Sequence, residues 1–184
     1  MKYAQSVEQI GFLILIMTIK NGRDTLTQLQ AEVDVVIIGG GRAALATAYF
    51  LKRKKIPFVI LDDQSQAGGA WSHAWESLRL FSPNTWSSLS GWMMPTTEQT
   101  YPTRNEVIEY LSVYEQRYQF PIIRPVHVDH IEQNDGYLDV YAGEKYWRAK
   151  AVVSATGTWS QPYIPPYKGY ENFKGIQLHS AHYL

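Results

Sequence analysis

Residues 34–51 read DVVIIGGGRAALATAYFL. A β-branched run, Val33–Ile38, passes through Gly39, Gly40 and Gly41 into alanines at helical spacing. Such a continuous run marks a strand buried on both faces, as in a parallel sheet. Side chains are given up just where the strand hands over to a helix. Either the turn is simply tight, or something large and anionic approaches the backbone there.

The residues on either side favour the second reading. Leu45, Ala48, Tyr49 and Leu51 carry a helical pattern that closes on the basic run Lys52–Lys55, where cations suit a helix C-terminus. Pro57 breaks the helix, and FVILDD (58–63) reads as a second strand. Strand, glycine turn, helix and strand together make a βαβ unit. Within it Gly39-x-Gly41-x-x-Ala44 has the spacing of a dinucleotide-binding turn. The first glycine permits the turn, and the second lets a pyrophosphate reach the backbone. Ala44 still allows close packing of helix on strand. Gly41 is expected to need a positive φ. The helix N-terminus, with Gly40, Arg42 and Ala43 around it, offers free N–H groups and a positive dipole end. Asp62, 21 residues beyond Gly41 at the end of the second strand, can accept hydrogen bonds from a ribose diol.

Further along, residues 64–95 show no clear periodicity, the mark of a segment that is either functional or poorly ordered. Thr103 and Glu106 form a capping box that opens a helix with Val107, Tyr110, Leu111 and Tyr114 on its apolar face. VHVDHI (126–131), YLDVYA (137–142) and KYWRAK (145–150) read as short alternating strands, with Asn-Asp-Gly as a hairpin turn. AVVSATG (151–157) reads as a separate, buried, parallel-type strand ending in glycine. The fold class is therefore α/β: a Rossmann-like parallel sheet with an inserted antiparallel β-meander.

Composition narrows the function classes. Seventeen basic residues balance seventeen acidic ones, so no electrostatic footprint for nucleic acid or an anionic membrane exists. The chain has no cysteine, which excludes thiolate metal sites and a redox dithiol and fits a cytoplasmic location. The apolar run IGFLILIMTIK (10–20) falls short of the roughly 20 residues of a spanning helix and reads as a docked helix. An alternative start at Met17 would give the first strand a polar lead-in. His179 and His182 lack a third ligand, so no metal site is assigned. His127 and His130 are read as solvated or hydrogen-bonded, Asp63 as exposed, and Trp75 as core packing. No hydrolytic arrangement of side chains stands out.

From about Val33 onward the chain resembles the flavin-containing monooxygenases of the two-dinucleotide-fold type. GGAW (68–71) matches the family's GG-x-W, and SATG (154–157) its A-T-G motif. Phe173, Gly175, His179 and Tyr183 match its F-x-G-x-x-x-H-x-x-x-Y fingerprint. The wording of residues 68–95 is closest to the subgroup found in arsenic-resistance gene clusters. Two departures stand out. Ala43, where many relatives have glycine, is expected to crowd the turn. Pro83 falls where animal-type members carry an asparagine, with Asn84 one place later.

This resemblance implies FAD as cofactor and NADPH as reductant, with the oxygen-loaded flavin oxygenating a soft, small-molecule nucleophile. It assigns Gly68, Gly69 and Trp71 to the flavin side, the backbone of Val128 to adenine, and Ala155, Thr156 and Gly157 to closure of the site. Arg79 is a further candidate for the pyrophosphate charge. No side chain is assigned as catalytic, because the cofactor carries the chemistry. Residues 1–32 are expected to be an N-terminal extension, 33–160 the FAD-binding domain and 161–184 the start of a linker to an NADPH-binding domain. No second glycine motif occurs in these residues, so the alternative is a non-catalytic nucleotide-binding remnant. A homo-oligomer is left open.

Overall fold

In a computed structural model, residues 27–96 and 99–183 are described. The expectations for residues 10–20 and for a start at Met17 lie outside them. The first strand, β1 (Gln28–Ile38), is followed by α1 (Arg42–Arg53) and β2 (Phe58–Leu61). Next come α2 (Arg104–Tyr118), β3 (Ile122–Ile123), β4 (His130–Asn134), β5 (Tyr137–Ala142) and β6 (Lys145–Ser154). All six strands form one sheet in the order β3-β2-β1-β6-β5-β4. β1 pairs in parallel with both β2 and β6, whereas β4, β5 and β6 run antiparallel to their neighbours in the meander.

Alternation along the central strands builds two cores. Ile37 and Ile60 point towards the helices and pack with Ala44, Leu45, Ala48, Val107, Leu111 and Tyr114. Val36, Val59 and Leu61 point the other way and pack with Val140, Trp147 and Ala149 of the meander. The β-branched run is thus buried on both faces at its centre, where Val36 and Ile37 are fully covered.

Four elements differ from the sequence reading. β1 starts at Gln28 rather than Val33, so residues 28–32, expected in the N-terminal extension, belong to the sheet and pair with β6. KYWRAK and AVVS are a single strand, β6, which pairs with β1 along its whole length. Its pairing with β5 ends at Ala149, so Val152 and Val153 are only half-buried rather than core. The strand expected at 126–131 begins at His130 instead. Upstream of it the Val126 N–H donates to the Asp62 carbonyl (2.8 Å), which draws the chain towards the end of β2. The two-residue β3, unannounced by any periodicity, pairs with Ile60 and Leu61.

The capping box forms as read. Thr103 Oγ1 accepts from the Glu106 N–H (3.3 Å), and Glu106 Oε2 accepts from the Thr103 N–H (2.7 Å). From the apolar face of α2, two tyrosines anchor the irregular stretch above it. Tyr110 Oη accepts from the Leu89 N–H and donates to the Trp92 carbonyl, and Tyr114 Oη donates to the Ser90 carbonyl. Burial raises both phenol pKa values above the ordinary range, keeping them neutral donors. Segment 82–94 owes its order to these bonds rather than to any periodicity of its own.

Candidate nucleotide-binding site

The three glycines of the turn have three different reasons to lack a side chain. Gly39 has φ +99°, and a Cβ there would lie 2.5 Å from the Ala155 carbonyl oxygen. Gly40 sits over the end of β2, where a Cβ would meet Asp62 Oδ2 at 2.2 Å. Gly41 is extended, at φ −83°, and a Cβ there would meet nothing within 4 Å. The positive φ expected at Gly41 therefore belongs to Gly39. Nothing in the described fold requires Gly41 to be glycine, and its missing side chain opens onto empty space.

Around this opening the structure brings together most of the residues the sequence singled out. Gly41 is the N-cap of α1, which has no side-chain cap and no acid in its first turn. Its leading N–H groups are left for an anion by the geometry of any helix start. The GG-x-W segment folds as a 3-10 turn (Gly69–His73), and a Cβ on Gly69 would come within 2.8 Å of Gly41 Cα. Gly68 and Gly69 thus form one wall of the opening, with Trp71 packed at the margin of the helix-side core. The A-T-G segment lies against Gly39, at the other end of the glycine turn. Ala155 donates its N–H to the Ile38 carbonyl (2.8 Å), and its own carbonyl faces Gly39.

Arg42, the first residue of α1, reaches towards Ser87 of the irregular stretch. Its Nη2 donates to the Ser87 carbonyl, while its Nη1 is buried with no hydrogen-bond partner. Burial lowers the pKa of this guanidinium, the signature of a desolvated cation. An unpartnered buried donor is an unusual and costly feature, and it suits an anion that completes it. Ala43 is exposed at the helix surface and does not crowd the turn as expected.

Asp62 is 2% exposed, and both its oxygens are engaged. Oδ1 accepts from the Gly40 N–H (3.1 Å) and Oδ2 from Arg124 Nε (3.0 Å). Arg124 in turn grips Glu115 of α2 through two bonds of 2.8 and 3.0 Å. Those bonds, the first of them to Glu115, raise the Arg124 pKa. Sequence reasoning missed Arg124, Glu115 and Arg104. Arg104 donates to the Trp71 carbonyl (3.1 Å) and the Ser72 carbonyl (2.7 Å), pinning the GG-x-W turn to α2. Only Glu115 carried a signal: it lies four residues after Leu111, on a helix face that is otherwise apolar.

Other candidates lie apart. Arg79 is exposed, donates to the Tyr101 carbonyl (3.2 Å) and lines an open cavity of about 430 Å³ with Leu78, Leu80 and Phe81. Trp75 lines the same cavity and meets Tyr183 edge-to-face at 5.4 Å, so it is a surface residue rather than core. Val128 is half-buried against the meander-side core. Asn84 is buried and donates to the Pro95 carbonyl (3.1 Å), a bond that shapes its own loop. His179 Nδ1 accepts from the Ala181 N–H, while His127 and His130 are largely solvated, as the sequence suggested. Among the described residues no helix is long and apolar enough to cross a membrane.

A mixed sheet with a parallel β2-β1-β6 centre, a glycine turn at a helix start and a buried acid at the next strand end give a Rossmann-like α/β fold. Comparison with known proteins gives the family. The model of the pyridine nucleotide-disulphide oxidoreductase family matches residues 36–183, and the chain belongs to that family. It is 35% identical over 156 residues to an uncharacterized CzcO-like oxidoreductase of Geobacillus kaustophilus, covering 85% of this chain and 45% of that one. A second oxidoreductase, CzcO of Bacillus velezensis, is 31% identical over 150 residues, covering 82% and 44%. The solved flavin-containing monooxygenase of Stenotrophomonas maltophilia superposes with a TM-score of 0.78 at 52% identity, over 84% of this chain and 47% of that one. The chain thus spans about half the length of the relatives it matches. Although the family's name refers to disulphides, these 184 residues contain no cysteine to exchange.

Proposed function

We propose that this chain binds FAD through its pyrophosphate and adenosine, as the flavin-holding part of an NADPH-dependent monooxygenase acting on a soft, small-molecule nucleophile. The observation that carries this reading is Gly41, an ordinary-φ glycine whose absent side chain faces open space at the start of α1. The first-turn N–H groups of α1 and the unpartnered Nη1 of Arg42 would hold the pyrophosphate. Asp62 would serve the ribose, Val128 the adenine, and Gly68, Gly69, Trp71 and Ala155–Gly157 would wall the flavin side. Residues 33–160 would then be the FAD-binding domain, and 161–184 the start of the passage to a nicotinamide-binding one. When bound, the flavin supplies electron transfer from the nicotinamide and oxygen activation. The chain supplies charge complementarity, orientation and shielding from water.

The relatives support the cofactors: the Stenotrophomonas protein is named as a flavin-containing monooxygenase, and a protein of the same fold is solved in complex with FAD and NADP. The test is competition. FAD bound to the purified chain, followed by flavin fluorescence, is expected to be displaced by ADP and not by riboflavin, because the contacts lie on the pyrophosphate and adenosine. Displacement by riboflavin with no effect of ADP would contradict the reading.

A further inference from the structure

Arg124 is consumed by its two carboxylates. Its Nε and Nη2 lie 3.0 and 2.9 Å from Asp62 Oδ2, while Nη1 and Nη2 reach Glu115 at 2.8 and 3.0 Å. It is therefore no outward-facing anion hook. Its side chain is 17% exposed, that of Glu115 10% and that of Asp62 2%, so the three charges share a poorly solvated pocket.

That pocket lies directly under the turn. Asp62 Oδ1 holds the Gly40 N–H, and Oδ2 occupies the place a Gly40 side chain would take. Gly40 in turn is joined to Gly41, the residue that opens onto the nucleotide space. The groups around Asp62 come from four places. They are the Gly40 N–H of the turn, the Gln64 N–H of its own loop at 3.5 Å, Glu115 of α2, and Arg124 beyond β3. Asp63 and His127, 4.0 Å apart, stand outside this cluster and are exposed to water.

We infer that Arg124 is a positioning residue for nucleotide binding: it keeps Asp62 charged and aimed at the Gly40 N–H, and so fixes the turn that receives the cofactor. The inference rests on the FAD reading above. Two carboxylates buried side by side do not both stay ionised without a cation between them. Without Arg124 one of them takes up a proton, and Asp62 loses its hold on the turn and its strength as an acceptor for the ribose.

The experiment is FAD titration of the full chain between pH 6 and 9, using Arg124→Met and Arg124→Lys beside the wild type. The wild type is expected to bind with level affinity across the range. R124M is expected to bind about tenfold more weakly at pH 6 and to recover as the pH rises and its carboxylates ionise. R124K, which restores a cation without the planar fork, is expected to bind within about threefold of wild type with a level profile. R124M matching the wild type at every pH would overturn the inference. So would an R124M loss that is the same at every pH and that lysine does not rescue. If R124M is not recovered folded, the neutral, polar Arg124→Gln takes its place, with the same expected loss at pH 6 and recovery at higher pH and the same overturning results. A wild type that takes up no FAD removes the underlying reading, whereas unaltered variants beside a binding wild type remove only the role of Arg124.

Discussion

Two buried carboxylates, each held by an arginine, sit on opposite sides of β6, and they differ in what else they hold. Asp139 of β5 is 1% exposed and lies opposite Arg148 of β6, which holds it through two bonds of 2.7 Å. Its remaining neighbour is the amide of Asn134, so the whole cluster lies within the meander. Arg124 holds Asp62 through one oxygen only and shares itself with Glu115, and the other Asp62 oxygen accepts from the backbone of a glycine turn. A closed ion pair locks strand to strand. An ion pair that also holds a backbone N–H at the edge of open space sets the shape of a site.

This contrast can be broken in several places, of which Gly39 is the most severe. Gly39→Val must place a β-branched residue at φ +99° with its Cβ against the Ala155 carbonyl. The expected loss is more than about 3 kcal/mol of stability, because both strain and a backbone clash must be relieved. Urea unfolding measures it, and a G39V chain as stable as wild type would mean that β6 and the turn are not in contact.

Next in size comes Asp139→Ala. Removing one partner of a buried pair leaves Arg148 without its counter-charge, at an expected cost of about 3 kcal/mol. FAD affinity of the folded protein is expected to stay unchanged, since this pair touches no part of the turn. The bonds from Arg148, opposed by burial, hold the Asp139 pKa below its ordinary value. A depressed pKa in the folded state contributes stability above the unfolded value, near pH 4, and that stability is lost as the pH falls through the folded value. The gap in stability between wild type and D139A should therefore be full at neutral pH and shrink in acid. A constant gap across pH 3–7 would deny the pair its charge.

What the sequence made legible was local. The β-branched run, the glycine turn and the capping box are written in contiguous residues; the capping box forms as read, and the run is the buried end of a longer strand that hands over to α1 through the glycines. β6 was split in two because its neighbours change along its length. Through Ala149 it lies between β1 and β5 and alternates, and beyond that it keeps β1 alone and reads as a different kind of strand. Arg124 was invisible for a different reason. Its partners Asp62 and Glu115 lie 62 and 9 residues away, and only the docking of β2, β3 and α2 brings them together. Gly41 was given a positive φ that belongs to Gly39, because spacing names the glycines without saying which of them bears the strain.

The central claim is that the turn is shaped for a ligand and not only for itself, and Gly41→Val tests it most directly. A Cβ at this position has no atom within 4 Å, and φ −83° suits valine, so the thermal midpoint is expected to stay within about 2 °C of wild type. Its side chain would fill the space at the start of α1, and FAD affinity is expected to fall about a hundredfold, or roughly 2.7 kcal/mol. The measurement is an FAD titration of wild type and G41V by flavin fluorescence, with thermal unfolding run on the same samples. A folded G41V that binds FAD as tightly as the wild type would contradict the account.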